Sequence, residues 1–326
     1  MTLSTLKKIH QVWSRYDLKE ISDIKRISGG IINETYQITN KKNNVYILQK
    51  LHRIFNWNLM ADIKTIAEHL ESKGWECPRL LKSNEEKFFA SLDSEIWRTY
   101  EYIPGNDFSS ISISKEFYFE IGEILGLLHR DLVLLQYEPL HKIEGFHNKD
   151  FYFEKATKIE RNIYPVELQS IWEELYESLE KYSLALKGHQ QLIHGDPRVE
   201  NILFSPKGNP FTFIDYDTFM QGSIYIDIGD CLRSLMFLED GATLSYRFQQ
   251  FIFGYSLANP EARIQNIQVL SGLKYVILEL TLRFLIDSVE QNYFFWNPKL
   301  YKTASEHNED RARQHWNLFN KISQEL

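Results

Sequence analysis

The chain has 326 residues, 43% of them hydrophobic, and a net charge of −7 from 37 basic and 44 acidic side chains. That length allows one large domain or two lobes sharing a cleft. The acidic balance, with no block of clustered Lys and Arg, argues against nucleic acid as a partner, because a duplex-binding surface must displace counterions. The 7 Trp, 18 Tyr and 21 Phe imply a large aromatic core and suit a cleft that holds a flat base or a sugar ring. Cys77 and Cys231 match no metal-ligand spacing and read as reduced thiols, which fits the cytoplasm. The N-terminus carries no apolar signal core, and the most apolar stretch, 275–286, is interrupted by Glu279 and Arg283, so no membrane span is expected.

In chain order, residues 1–20 read as a short amphipathic helix. Three strands follow, at 24–27, 35–38 and 45–49, with turns at Gly29-Gly30 and at the polar run 40–44. A helix over 59–73 ends at Gly74, and two more strands end in Ile96-Trp97-Arg98-Thr99-Tyr100-Glu101-Tyr102. After Pro104-Gly105 the pattern becomes helical, over 114–131, 150–187, 228–257 and 262–290, with one loop-and-strand interlude at 192–215. The expected organisation is an N-terminal nucleotide-binding lobe over 1–103 and a C-terminal catalytic and substrate-binding lobe over 104–326.

The interlude carries the chemistry. It reads Leu192-Ile193-His194-Gly195-Asp196-Pro197-Arg198-Val199-Glu200-Asn201, and after a tight hairpin Phe213-Ile214-Asp215-Tyr216-Asp217. Two apolar strands thus present Asp196, Asn201 and Asp215 toward one small volume. Phosphoryl transfer needs such a set: hard oxygen ligands to hold Mg²⁺ on a triphosphate, and a carboxylate to take the proton of the attacking hydroxyl. An Asp followed five positions later by Asn, with a second Asp on the next hairpin, is the spacing of the kinase catalytic loop.

These residues resemble the aminoglycoside phosphotransferase and choline kinase superfamily. The resemblance implies an α+β, protein-kinase-like bilobal fold, with a small antiparallel-sheet N-lobe and a large, mainly helical C-lobe. It also implies an enzyme that uses ATP and Mg²⁺, with Asp196 as catalytic base, Asn201 and Asp215 as metal ligands, and His194 and Asp227 bracing the loop. Gly29 and Gly30 would cover the phosphates, and the main chain at Glu101 and Ile103 would read adenine. The third strand should carry a cation to the α- and β-phosphates. The frame of the family places Gln49 there, its neighbour Lys50 is the available cation, and the two side chains point to opposite faces. The acidic partner on the following helix is open between Asp62 and Glu68.

A narrower resemblance, to bacterial N-acetylhexosamine 1-kinases, rests on Gly29-Gly30-Ile31-Ile32-Asn33, Tyr46-Ile47-Leu48-Gln49-Lys50, Asp215-Tyr216-Asp217-Thr218-Phe219, Asp227-Ile228-Gly229-Asp230 and Leu282-Arg283-Phe284 with Asn292-Tyr293-Phe294. It implies a small-molecule hydroxyl acceptor, a sugar phosphorylated at its anomeric hydroxyl and contacted by Asp196, Asp230, Arg283 and Tyr293. Two alternatives stand beside it: an aminoglycoside, choline or other amino-alcohol acceptor, and a pseudokinase that only binds ligand.

Overall fold

Alternation along the strand-rich first third folds it around an antiparallel sheet. In the computed structural model, which describes residues 1–27, 32–188 and 190–326, β1 (Ile21–Ile27), β2 (Glu34–Asn40), β3 (Val45–Lys50), β4 (Ala90–Leu92) and β5 (Glu95–Glu101) pair in the order β1-β2-β3-β5-β4. Helix α1 spans Leu3–Trp13, N-capped by Thr2, whose hydroxyl accepts from the Thr5 amide. Its Ile9, Val12 and Trp13 pack with Tyr36, Ile38, Leu48 and Trp97 from one face of the sheet. The opposite sides of the same strands carry Thr35, Gln49 and Arg98, which are direct cross-strand partners in register. Helix α2 (Leu59–Glu71) follows. The Asp62 carboxylate on its first turn accepts from the Leu140 and His141 amides at 2.8 Å each. Those bonds explain why one compact unit comprises Met1–Pro104 together with the returning segment Pro139–Ile143.

The other unit, Gly105–Glu138 and Glu144–Leu326, is mainly helical: α3 (Phe117–Leu132), α4 (Lys149–Ala156), α5 (Val166–Ser183), α6 (Ile224–Met236), α7 (Leu244–Ala258), α8 (Asn266–Glu290) and α9 (Ala304–Glu325). Two short antiparallel pairs lie among them, β6 (Gln190–Ile193) with β9 (Met220–Ser223) and β7 (Ile202–Phe204) with β8 (Pro210–Phe213). The long helix expected over 150–187 is two helices, because Pro165 has no amide to continue the ladder and becomes the N-cap of α5. The one expected over 228–257 breaks before Thr243, where Gly241 takes a left-handed φ of 83°. Helix α9 has no counterpart in the sequence reading; its buried stripe includes Ala304, Asn308, Ala312 and His315, which give little hydrophobic contrast. Among the described residues no helix is long and apolar enough to cross a membrane.

Backbone contact sets the spacing of α6 and α8. A Cβ on Gly272 would stand 2.1 Å from the Tyr225 carbonyl oxygen, and one on Gly229 would stand 2.5 Å from the Gly272 main chain. Only glycine permits that approach, which brings the polar residues of both helices close to the loop after β6.

Candidate active site

The loop after β6 begins with His194, followed by Gly195 at φ 84°. A Cβ there would meet the Thr218 carbonyl at 2.4 Å, so the position requires glycine for conformation and for space. Asp227, fully buried on the first turn of α6, holds this turn. Its carboxylate accepts from the His194 amide at 2.7 Å, the Gly195 amide at 2.8 Å and His129 Nε2 at 3.0 Å. His129 Nδ1 in turn lies 2.7 Å from the Tyr255 hydroxyl. Ser223 fixes the start of α6 by capping the Tyr225 amide.

His194 is buried, and burial pushes its pKa down, which keeps the ring neutral. Its Nε2–H donates to the Ile214 carbonyl at 3.1 Å, while Nδ1 accepts from the Asp196 amide at 3.4 Å. The Thr218 hydroxyl donates to the His194 carbonyl at 2.9 Å. The ring therefore ties the loop carrying Asp196 to the end of β8, one residue before Asp215.

Asn201 makes the second tie. Its Nδ2 donates to the Asp196 main-chain carbonyl at 2.8 Å and to the Asp196 carboxylate at 3.1 Å, and its main-chain carbonyl accepts from the Ile214 amide at 2.8 Å. Asp215 sits at φ 66°, a left-handed conformation uncommon outside glycine that Asp tolerates better than most side chains. Asp196 lies well above the usual carboxylate range. Desolvation in its crowded surround is the largest cause, Arg198 opposes it, and the nearby Asp230 and Asp215 add to it. Asp230 stays below that range despite burial, because Arg233 Nε donates to it at 2.8 Å. Its other oxygen, Oδ2, is buried and has no hydrogen-bond partner among the described residues.

These groups fit a divalent cation. With its amide nitrogen committed to Asp196, Asn201 offers its carbonyl oxygen, and Asp215 a carboxylate. Two hard oxygen donors suit Mg²⁺, which takes its remaining ligands from phosphate and water. Among the described residues no group of three or more His, Cys, Asp or Glu could hold a metal by itself.

A wall of α8 and aromatic rings flanks the loop. Arg283 is only 6% exposed, and its guanidinium lies over Phe146, Tyr152, Tyr293 and Phe294, with its carbon 5.1–5.5 Å from each ring centroid. Burial opposes its charge, but the phenols of Tyr152 and Tyr293 and the carboxylates of Glu279 and Asp196 hold its pKa above the ordinary value. Asp287 builds part of the cage by accepting from the successive amides of Asn292, Tyr293 and Phe294, each at 2.9 Å. His147 bridges wall and loop: Nε2 donates to the Gly195 carbonyl and Nδ1 to Glu279, both at 2.8 Å.

Burial alone would lower the pKa of His147, but Glu279 and the Gly195 carbonyl reverse this and raise it to about 8 from 6.5. A folded-state pKa above the unfolded one stabilises fully below pH 6.5, and the stabilisation is lost as pH rises through 8. Urea unfolding from pH 6 to 9 should show wild type losing ~2 kcal/mol relative to His147→Gln. Parallel curves for the two proteins would remove this ion pair from the stability of the loop.

The structure thus brings together Asp196, Asn201, Asp215, His194, Asp227, Asp230, Arg283 and Tyr293. Gly29 and Gly30 lie outside the described residues. Lys50 extends from the side of β3 that also bears Leu48, where it pairs with Glu34 and reaches Glu95 at 3.7 Å. Its position on the strand, one residue past Gln49, turns it to the α1 side, away from the row of Thr35 and Gln49. Neither acid considered on α2 is its partner: Asp62 holds backbone amides, and Glu68 pairs with Lys64 at an exposed position. Glu101 ends β5 with its amide on the Arg79 carbonyl, and Ile103 follows two residues later. Sequence reasoning missed Phe146, His147, Tyr152 and the anchoring role of Asp287. The one available signal was Glu279 and Arg283, two charges four residues apart inside the otherwise apolar stretch 275–286.

Known structures share this architecture. An amicoumacin kinase in complex with AMP-PNP, Ca²⁺ and Ami aligns with a TM-score of 0.71 at 15% identity, covering 98% of this chain and 92% of that one. A microcompartment-associated aminopropanol kinase gives 0.73 at 13% identity, covering 98% of both chains. The choline kinase LicA from Streptococcus pneumoniae gives 0.61 at 19% identity, covering 96% of this chain and 98% of that one. The fold is therefore the kinase-like α+β fold, an antiparallel-sheet unit followed by a mainly helical one. Residues 23–260 match the phosphotransferase enzyme family, and the chain belongs to that family as a small-molecule phosphotransferase.

Proposed function

We propose that this enzyme transfers the γ-phosphoryl group of Mg·ATP to a hydroxyl of a small polyhydroxylated acceptor, an N-acetylhexosamine or related sugar attacked at its anomeric hydroxyl. The observation that carries the reaction is the hydrogen-bonded set of Asp196, Asn201 and the Ile214-Asp215 turn. Asp196 orients the acceptor hydroxyl and takes its proton, a task suited to a carboxylate whose pKa is raised toward neutrality. Asn201 and Asp215 would hold Mg²⁺, which would supply positive charge against the phosphates of the nucleotide. His194 and Asp227 keep the loop in place without touching substrate.

The acceptor assignment rests on two polar groups near the base. Asp230 Oδ2 is a buried acceptor with no donor among the described residues, and a ring hydroxyl would supply one. Arg283 presents buried positive charge beside aromatic faces, an arrangement that favours neutral hydroxyls and opposes an ammonium group. The second reading, an amino-alcohol acceptor, has in its favour the choline and aminopropanol in the names of structural neighbours. A panel of N-acetylglucosamine, N-acetylgalactosamine, choline and aminoglycosides, with ADP release and ³¹P spectra as readout, separates the two. The expected product is an acid-labile sugar 1-phosphate; transfer confined to the amines would overturn the sugar assignment and leave the phosphotransfer chemistry standing.

A further inference from the structure

Between Asp196 and Asn201 the loop carries a cation, Arg198, whose main chain is fixed on both sides. Its carbonyl accepts from the Asn201 amide at 2.8 Å, and the next amide, that of the fully buried Val199, donates to the Ser234 hydroxyl at 3.1 Å. The side chain therefore leaves a rigid turn two residues after the base. Its guanidinium sits among carboxylates without closing on any of them. Nε stands 3.7 Å from Asp196 Oδ2 and 3.9 Å from the exposed Glu200, both beyond hydrogen-bond length. Asp196 Oδ2 already accepts from Asn201 Nδ2. Nε is buried and has no hydrogen-bond partner among the described residues, while the side chain as a whole stays 20% exposed and so open to a ligand. Burial opposes its charge, but Asp196, Glu200, Asp230 and Asp215 outweigh that and hold its pKa above the ordinary value. Other guanidinium groups nearby are committed elsewhere: Arg233 donates to Asp230 at 2.8 Å, and Arg283 lies over its four rings.

We propose that Arg198 is a catalytic residue that holds the non-bridging oxygens of the γ-phosphoryl group as it passes from ATP to the acceptor. The proposal rests on the reading of Asp196 as the base for that transfer. The acceptor oxygen gives its proton to the Asp196 carboxylate and forms a bond to the γ-phosphorus. The bond from that phosphorus to the β–γ bridging oxygen breaks, and this oxygen leaves on ADP with the electron pair. Before attack the acceptor oxygen lies within hydrogen-bond reach of the base and about 3–3.5 Å from phosphorus. A guanidinium 3.7 Å from the same carboxylate thus reaches the phosphoryl oxygens, and its planar fork offers two parallel N–H groups to two of them. A closed pair between Arg198 and Asp196 would occupy both groups. The gap leaves the fork for the phosphoryl group and the carboxylate for the proton.

Calorimetric titration of the full chain with Mg·ATP and with Mg·ADP tests this, since only ATP carries the γ-phosphate. Turnover is measured alongside, on whichever acceptor of the panel wild type uses. In Arg198→Met, ATP affinity is expected to fall about 10- to 100-fold, the range for a lost hydrogen bond to a charged group, with ADP affinity within about twofold of wild type. Turnover should fall about 10²–10³-fold, as for removal of a donor aimed at developing charge. Unchanged turnover, or equal losses of ATP and ADP affinity, would overturn the assignment. So would slow turnover with ATP affinity unchanged, which would assign the side chain to the acceptor or the base instead. If Arg198→Met loses its cooperative thermal transition, the neutral Arg198→Gln is read by the same comparison. Wild type that releases no ADP with any member of the panel, or Asp196→Asn that turns over normally, would instead sink the reading on which the proposal stands.

Discussion

Replacing Asp196 by Asn should lower kcat by about 10²–10⁴-fold, the range for removing a general base, while Mg·ATP affinity changes little. The substitution keeps the shape and the main-chain carbonyl on which Asn201 Nδ2 rests, so the loop survives and only the proton acceptor is lost. The split between the two readouts identifies the role. A carboxylate needed for the metal would raise the Mg·ATP dissociation constant, and one needed only for folding would lower the unfolding midpoint. Steady-state rates with ADP detection, alongside ATP titration, measure both. Turnover retained within about threefold would take Asp196 out of the proton-transfer step.

The second large effect is on stability. Asp227→Ala removes the acceptor for two consecutive amides and a histidine ring nitrogen, all in a fully buried place. Stranding these donors should cost about 3–5 kcal/mol, and the melting temperature should fall on the order of 10 °C. Asp227→Asn keeps one acceptor oxygen and should lose less. Thermal unfolding of the three proteins gives the order wild type, Asn, Ala; a melting temperature shared by all three would refute the anchoring of the loop through α6.

What was legible in the sequence follows from separation along the chain. Asp196, Asn201 and Asp215 lie within 20 residues, on a loop and the hairpin after it, so spacing alone puts them near one another. The alternation of β2 and β3 was equally local. The register question at Gln49 and Lys50 was not, since period-two geometry says the two diverge but not which face meets α1. The packing of Leu48 with Ile9, Val12 and Trp97 settles that. His147 was invisible because it joins Gly195 and Glu279 across 48 and 132 residues, and its left-handed φ of 52° has no signature in an aromatic-rich stretch. The returning segment Pro139–Ile143 was missed for the same reason: its tie to α2 consists of backbone amides on Asp62.

Glu279, Arg283 and Asp287 occupy every fourth position of α8, and each has its own neighbour: the bridging histidine, the ring cage and the amides of 292–294. A helix advances roughly 100° per residue. Inserting one residue between Glu279 and Arg283 would swing the later members off this side and bring Leu282 and Ile286 in their place; deleting one would bring Phe284 and Ser288. A point replacement in α8 thus costs one neighbour, whereas a change of length between Glu279 and Asp287 costs the later ones together.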